Sequence, residues 1–213
     1  MQNIFAQSFL TKSNAKAVDL EHRRKINFNI GKYNAVVPKG KEQFTDLESV
    51  RERAKNRKWE AIEHLDTYLT QFEDQLTKRG GQVLWAEDAA QALDHIGKIA
   101  AEKNCRSIVK SKSMVTEEIH LNDYLESLGI ESVETDLGEY IQQMDGEAPY
   151  HIVTPAMHKS KEDVAKLFNE KLGTDINLTP EELTLVARKN LRDKYVQAEI
   201  GVTGANFIIP DIG

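Results

Sequence analysis

The chain has 213 residues, 29% charged and 40% hydrophobic, with a formal net charge of -6. That length allows a full core and one domain with an appendage, and the acidic balance argues for a soluble globular protein and against a nucleic-acid partner. A lone cysteine, Cys105, excludes an internal disulfide and cannot supply the thiolates of an iron-sulfur cluster or a structural zinc.

A reducing, cytoplasmic location is expected. The first twelve residues lack the continuous apolar core of a signal peptide, and no later run approaches the length of a membrane span. A helix is expected near residues 5–25, then an extended arm over 27–44, where Gly31, Pro38 and Gly40 interrupt any period. From 46 to 80, Leu47, Val50, Ala54, Trp59, Ile62, Leu65, Tyr68, Leu69, Phe72 and Leu76 recur at steps of three and four, which predicts one long amphipathic helix. Residues 1–80 therefore form a helical arm, and 81–213 an α/β domain.

In that domain strand and helix patterns alternate: strand 82–86, helix 88–103, strand 107–110, helix 116–128, strand 131–135, helix 137–144, strand 150–154. Helices at 160–172 and 180–196 and short strands at 199–203 and 207–209 follow. The alternation predicts a parallel sheet with helices on both faces. Thr179-Pro180-Glu181-Glu182 is a capping box with proline at the first helical position, Asp136 with Glu139 a weaker one, and Gly129 a left-handed helix stop. The long helix and the terminal strand offer surfaces for self-association.

In an open parallel sheet, ligands bind outside the carboxyl ends of the strands. Here those ends are polar. They deliver Lys110, Ser111, Lys112, Ser113 and Thr116, then Glu134, Thr135 and Asp136, then Thr154, and finally Thr203 and Asn206. The Lys-Ser-Lys-Ser segment reads equally as an anion cradle and as a solvated loop in which Ser113 or Thr116 caps a helix. Glu117-Glu118 complements the positive end of the following helix, which suffices for Glu118, while Glu117, Asn122 and Glu134 are candidates to face the crevice and hold a hydroxyl-bearing ligand. His151 and His158 bracket a strand end and suit a base, since imidazole titrates near neutrality. His22, His64 and His95 lie in helical patterns and are read as structural. No metal-binding spacing, dinucleotide fingerprint or Walker sequence is present, so no metal site is expected.

Five stretches carry a resemblance: 109–122 (VKSKSMVTEEIHLN), 134–141 (ETDLGEYI), 151–158 (HIVTPAMH), 187–192 (ARKNLR) and 201–207 (GVTGANF). From about Trp59 onward they resemble the lactate-utilisation protein B family. The resemblance implies a lactate-utilisation (LUD) domain, similar in fold to the sugar-phosphate isomerase and CoA-transferase class. It also implies the iron-sulfur subunit of a cytoplasmic complex that oxidises L-lactate to pyruvate, with other lactate-utilisation subunits as partners. The family's clusters sit on cysteines of a C-terminal ferredoxin-like region, so 4Fe-4S clusters are expected in a full-length parent and none in this chain. In that setting Lys110 or Lys112, with Ser111 and Ser113, would bind a small carboxylate, and His158 or His151 would take the hydroxyl proton. The competing reading is a stand-alone isomerase or transferase of the same fold class acting on a sugar phosphate or acyl substrate, or an assembly module.

Overall fold

The structure, a computed structural model, describes residues 2–213, so the first residue of the expected arm lies outside it. The chain divides into two compact units, residues 1–43 with 137–189, and residues 44–136 with 190–213. Each is described by itself.

The first unit begins with α1 (Gln2–Val18) and α2 (Leu20–Lys41). The second replaces the expected extended arm. Asp19 caps α2 by accepting from the His22 N–H at 3.0 Å, Glu21 occupies its first turn, and Lys39 and Lys41 its last. Gly31 costs the helix about 1 kcal/mol, and Pro38 and Gly40 fall close enough to its end to remove little of the ladder. Docking supplies the remainder: Lys25 meets Asp163 at 2.6 Å and Asn29 donates to the Met157 carbonyl at 2.7 Å.

The rest of this unit is α8 (Leu137–Asp145), an irregular segment, α9 (Lys161–Leu172) and the first half of α10 (Pro180–Gln197). Ile141, Ala165, Leu167, Phe168, Leu183 and Ala187 form its core. The Thr179–Glu182 capping box is present, with Thr179 N–H donating to the Glu182 carboxylate at 2.8 Å and Glu182 N–H to Thr179 Oγ1 at 3.3 Å. The strand expected at 150–154 is absent. His151 Nδ1 accepts from the backbone of Val153 at 3.1 Å and Thr154 at 3.3 Å, and Tyr150 N–H donates to the Pro155 carbonyl. Those local bonds make a turn of residues whose composition suits a strand.

The second unit starts with α3 (Leu47–Glu63) and α4 (Leu65–Lys78), which divide the expected long helix at His64. In α4 the residues Tyr68, Leu69, Phe72 and Leu76 are half-buried, whereas Trp59 and Ile62 of α3 remain exposed. Only the second piece has a surface to pack against. Residues 82–86 run without a strand ladder, because side chains occupy their polar groups: the Trp85 carbonyl bonds His95 Nε2, and its indole N–H donates to Glu73.

After α5 (Ala89–Glu102) come β1 (Ser107–Lys110), α6 (Met114–Glu118), α7 (Leu121–Ser127), β2 (Glu131–Glu134) and, beyond α10, β3 (Ile200–Val202). The predicted helix 116–128 is thus two, split by His120 in the left-handed region at φ 55°. The three strands form a parallel sheet in the order β2-β1-β3, flanked by helices, which is the expected α/β class. Ile108 pairs with Ser132 and Lys110 with Glu134, so these four share one face. Over it pack Ala100 of α5, Leu121 and Leu125 of α7, and Ile130. Gly129, at φ 74°, makes the expected stop after α7. Residues 207–209 are no strand; Phe207 is 86% exposed, and the chain turns back on itself through a Gly213 N–H bond to the Ile209 carbonyl.

Glu199 ties β3 to the start of β1. Its carboxylate accepts from the backbone N–H of Ser107 at 2.9 Å and Arg106 at 3.2 Å, and these bonds hold its pKa below the usual value. A carboxylate with a lowered native pKa stabilises the fold above the ordinary carboxylate range, and that contribution disappears as pH falls through the native value. Glu199→Gln is therefore expected to lower the thermal midpoint at pH 7 and to differ less from wild type toward pH 3. Calorimetric midpoints across that range test this, and a pH-independent difference contradicts it.

Candidate functional site at the carboxyl ends of the strands

Parallel pairing brings three polar strand ends together. The Thr135 N–H and hydroxyl both donate to the Lys110 carbonyl, at 2.9 and 2.6 Å, joining the ends of β2 and β1. Ser111 donates to Thr203 Oγ1 at 2.9 Å, joining β1 to β3. Gly204 lies so close to Ser113 that a Cβ there would stand 2.8 Å from the Ser113 hydroxyl. Absence of a side chain at 204 permits this approach.

Beneath these ends lies a charge cluster. Lys110 is fully buried, and its ammonium meets Glu134 at 2.6 Å, Asn122 at 2.9 Å and Glu117 at 3.4 Å. Asn122 completes the net by donating to Glu134 at 2.9 Å and accepting from Ser132 at 2.7 Å. Its three partners hold the ammonium inside the protein, so Lys110 is a support for the site rather than a hand held out to a ligand. Glu134 and Asn122 share that role, while Glu117 keeps 26% of its side chain exposed at the edge.

Ser113 and Thr116 are buried and cap α6: Thr116 N–H donates to the Ser113 hydroxyl at 3.4 Å, and the Thr116 hydroxyl to the Ser113 carbonyl at 2.8 Å. Of the two readings of this segment, capping describes these two residues. The open rim is Ser111, Thr203 and Asn206, with Lys112 and Asp136 half-buried beside it.

Thr154, His151 and His158 belong to the other unit. The His151 Nδ1 is engaged by its own turn. His158 sits in a cluster that the sequence does not advertise: its Nε2 lies 2.9 Å from Glu147, which Lys159 also meets at 3.0 Å. Burial raises the Glu147 pKa, but hydrogen bonds from His158 and Lys159 outweigh it and the net shift is downward. His22, read as structural from its helical setting, bonds the Tyr150 hydroxyl at 2.9 Å, and its ring centroid is 6.0 Å from that of His158. A contact across 128 residues has no signature in local spacing.

Residues 69–213 match the family described as LUD domain. The chain belongs to this family. It is 45% identical over 175 residues to Lactate utilization protein B of Bacillus cytotoxicus, covering 82% of this chain and 37% of that protein. The proteins of the same name from Lysinibacillus sphaericus and Geobacillus thermodenitrificans are 49% and 48% identical, each over 81% of this chain and 36% of their own length. The LUD chain thus spans little more than a third of these relatives. No solved structure matches it.

The buried pair makes a sharp test. Removing one member strands the other charge, at a cost of about 3–5 kcal/mol, whereas replacing both with apolar groups is close to neutral. Lys110→Met is expected to destabilise the protein by that amount in urea unfolding, and Lys110→Met with Glu134→Leu to recover most of it. Additive losses in the double variant contradict the pairing.

Proposed function

We propose that this LUD chain serves lactate utilisation as part of the iron-sulfur subunit of a cytoplasmic complex that oxidises L-lactate to pyruvate. The observation that carries the reading is the match to proteins called Lactate utilization protein B across four-fifths of the chain. Other lactate-utilisation subunits are its partners in this reading.

The chain's own donors do not fit a cluster. Cys105 is the one cysteine, it is buried, and burial pushes its thiol pKa up, whereas a cluster needs several thiolates. Among the described residues no group of three or more histidine, cysteine or acidic side chains is placed to hold a metal. The 4Fe-4S clusters of this proposal therefore belong to a longer parent protein, and no electron step is routed through these residues. Among the described residues, no helix is long and apolar enough to cross a membrane.

What this chain contributes is a place for a small carboxylate. The rim of Ser111, Lys112, Thr203 and Asn206 presents hydroxyls, an amide and an ammonium at the carboxyl ends of parallel strands, where such sheets bind ligands. The buried Lys110 cluster holds that rim in register.

Deletion of the gene is expected to abolish growth on L-lactate as sole carbon source and spare growth on glucose. Unimpaired growth on lactate overturns the proposal. For the rim, Lys112→Ala is expected to weaken L-lactate binding about tenfold by calorimetry, the loss of one charge-assisted hydrogen bond. Equal affinity in both proteins removes the rim from the reading.

A further inference from the structure

Charge is divided unevenly along this chain. Residues 2–41 carry eight Lys or Arg against two Asp or Glu, although the whole chain has a net charge of -6, so the acidic excess lies in the remainder. Within α2 no Asp or Glu follows Glu21. Arg24, Phe28, Lys32, Ala35 and Lys39 recur at steps of four and three, which places them in one stripe, and all five are exposed. Lys25 takes Glu21 and Asp163, while among the described residues Arg24, Lys32 and Lys39 meet no carboxylate. Phe28 stands 61% exposed within the stripe, with the Lys32 ammonium 4.2 Å from its ring centroid.

The mixture of ring and cations on one side of the helix narrows what can cover it. A bilayer favours the two on opposite faces, and a nucleic acid would meet a chain of net negative charge. The stripe fits a protein surface that offers an apolar hollow among carboxylates. The second unit has such a surface. A groove of about 340 Å³ has Leu65, Tyr68, Leu69, Ile208 and Pro210 among its walls, and its charged walls, Arg57 and Glu60, bond each other at 2.7 Å and cancel. The two stretches that build the rest are free of Lys and Arg: residues 59–77 hold five acids and residues 195–213 two. Asp66, next to Leu65, and Asp211, next to Pro210, are exposed and meet no cation among the described residues.

We propose that this groove docks the α2 stripe of a second copy of the chain, with Phe28 in the hollow and Arg24 and Lys32 against Asp66 and Asp211. The assembly is a twofold pair in which each copy gives one stripe and receives the other, so the contact is made twice. An aromatic side chain anchored in an apolar pocket is the usual energetic centre of a protein interface, and the charges around it set the pairing. The inference stands apart from the lactate-utilisation reading.

Light scattering on the intact chain as it elutes from a sizing column tests this. The wild-type mass is expected to be twice the 24.1 kDa of one chain. Phe28→Ala is expected to weaken association about thirtyfold, the cost of one aromatic anchor. Arg24→Glu with Lys32→Glu, and separately Asp66→Lys with Asp211→Lys, are expected to give monomers. An equimolar mixture of these two charge-reversed proteins is expected to form dimers again, because each stripe then faces a groove of opposite charge. A monomeric wild-type chain overturns the proposal. So does a dimer that the reversals leave intact, or a mixture that stays monomeric.

Discussion

The Lys110–Glu134 contact organises the second unit. It joins adjacent strands at the paired register position where β1 and β2 end, and Asn122 of α7 closes over it. A full charge in a face otherwise lined by Ile108, Leu121 and Leu125 tolerates few alternatives, because a slipped register would leave an ammonium facing apolar side chains. Hydrophobic burial holds the sheet and helix together; the ion pair selects which pairing is held. The three strand ends are consequently in line, and the polar rim exists because of that alignment.

The first unit uses a different division of labour. Its apolar core lies among α8, α9 and α10, whereas α2 contributes no buried residue and attaches through Lys25, Asn29 and His22. Burial raises the Asp163 pKa, but its bonds to Lys25 and the Ser160 backbone dominate and bring it below the usual value. Polar attachment of this kind is specific in geometry and modest in strength, and it leaves the rest of α2 exposed.

Local chemistry made much of the fold legible. Capping at Thr179, the stop at Gly129 and the alternation from 88 to 135 all rest on neighbours in sequence, and all appear. The expected strands that are absent are those whose polar groups find other partners. Residues 82–86, 150–154 and 207–209 have strand composition but spend their hydrogen bonds on side chains, local turns or solvent. The strand ends were legible as a set, since parallel topology alone brings 110, 135 and 203 together. That Lys110 is spent on Glu134, and that His22 faces His158, depends on packing that spacing does not encode.

The central strand receives its two neighbours at very different times. β2 follows β1 by about twenty residues, but β3 lies 92 residues beyond it, after five intervening helices. During synthesis or refolding, one edge of β1 therefore stays open while α8, α9 and α10 form, with Ser107 N–H unpaired until Glu199 arrives. An open edge is a template for pairing with other chains, and closing it carries the entropy of a long loop. The short length of β1, and the charged Lys110 at its end, limit how much of that edge a wrong partner can capture.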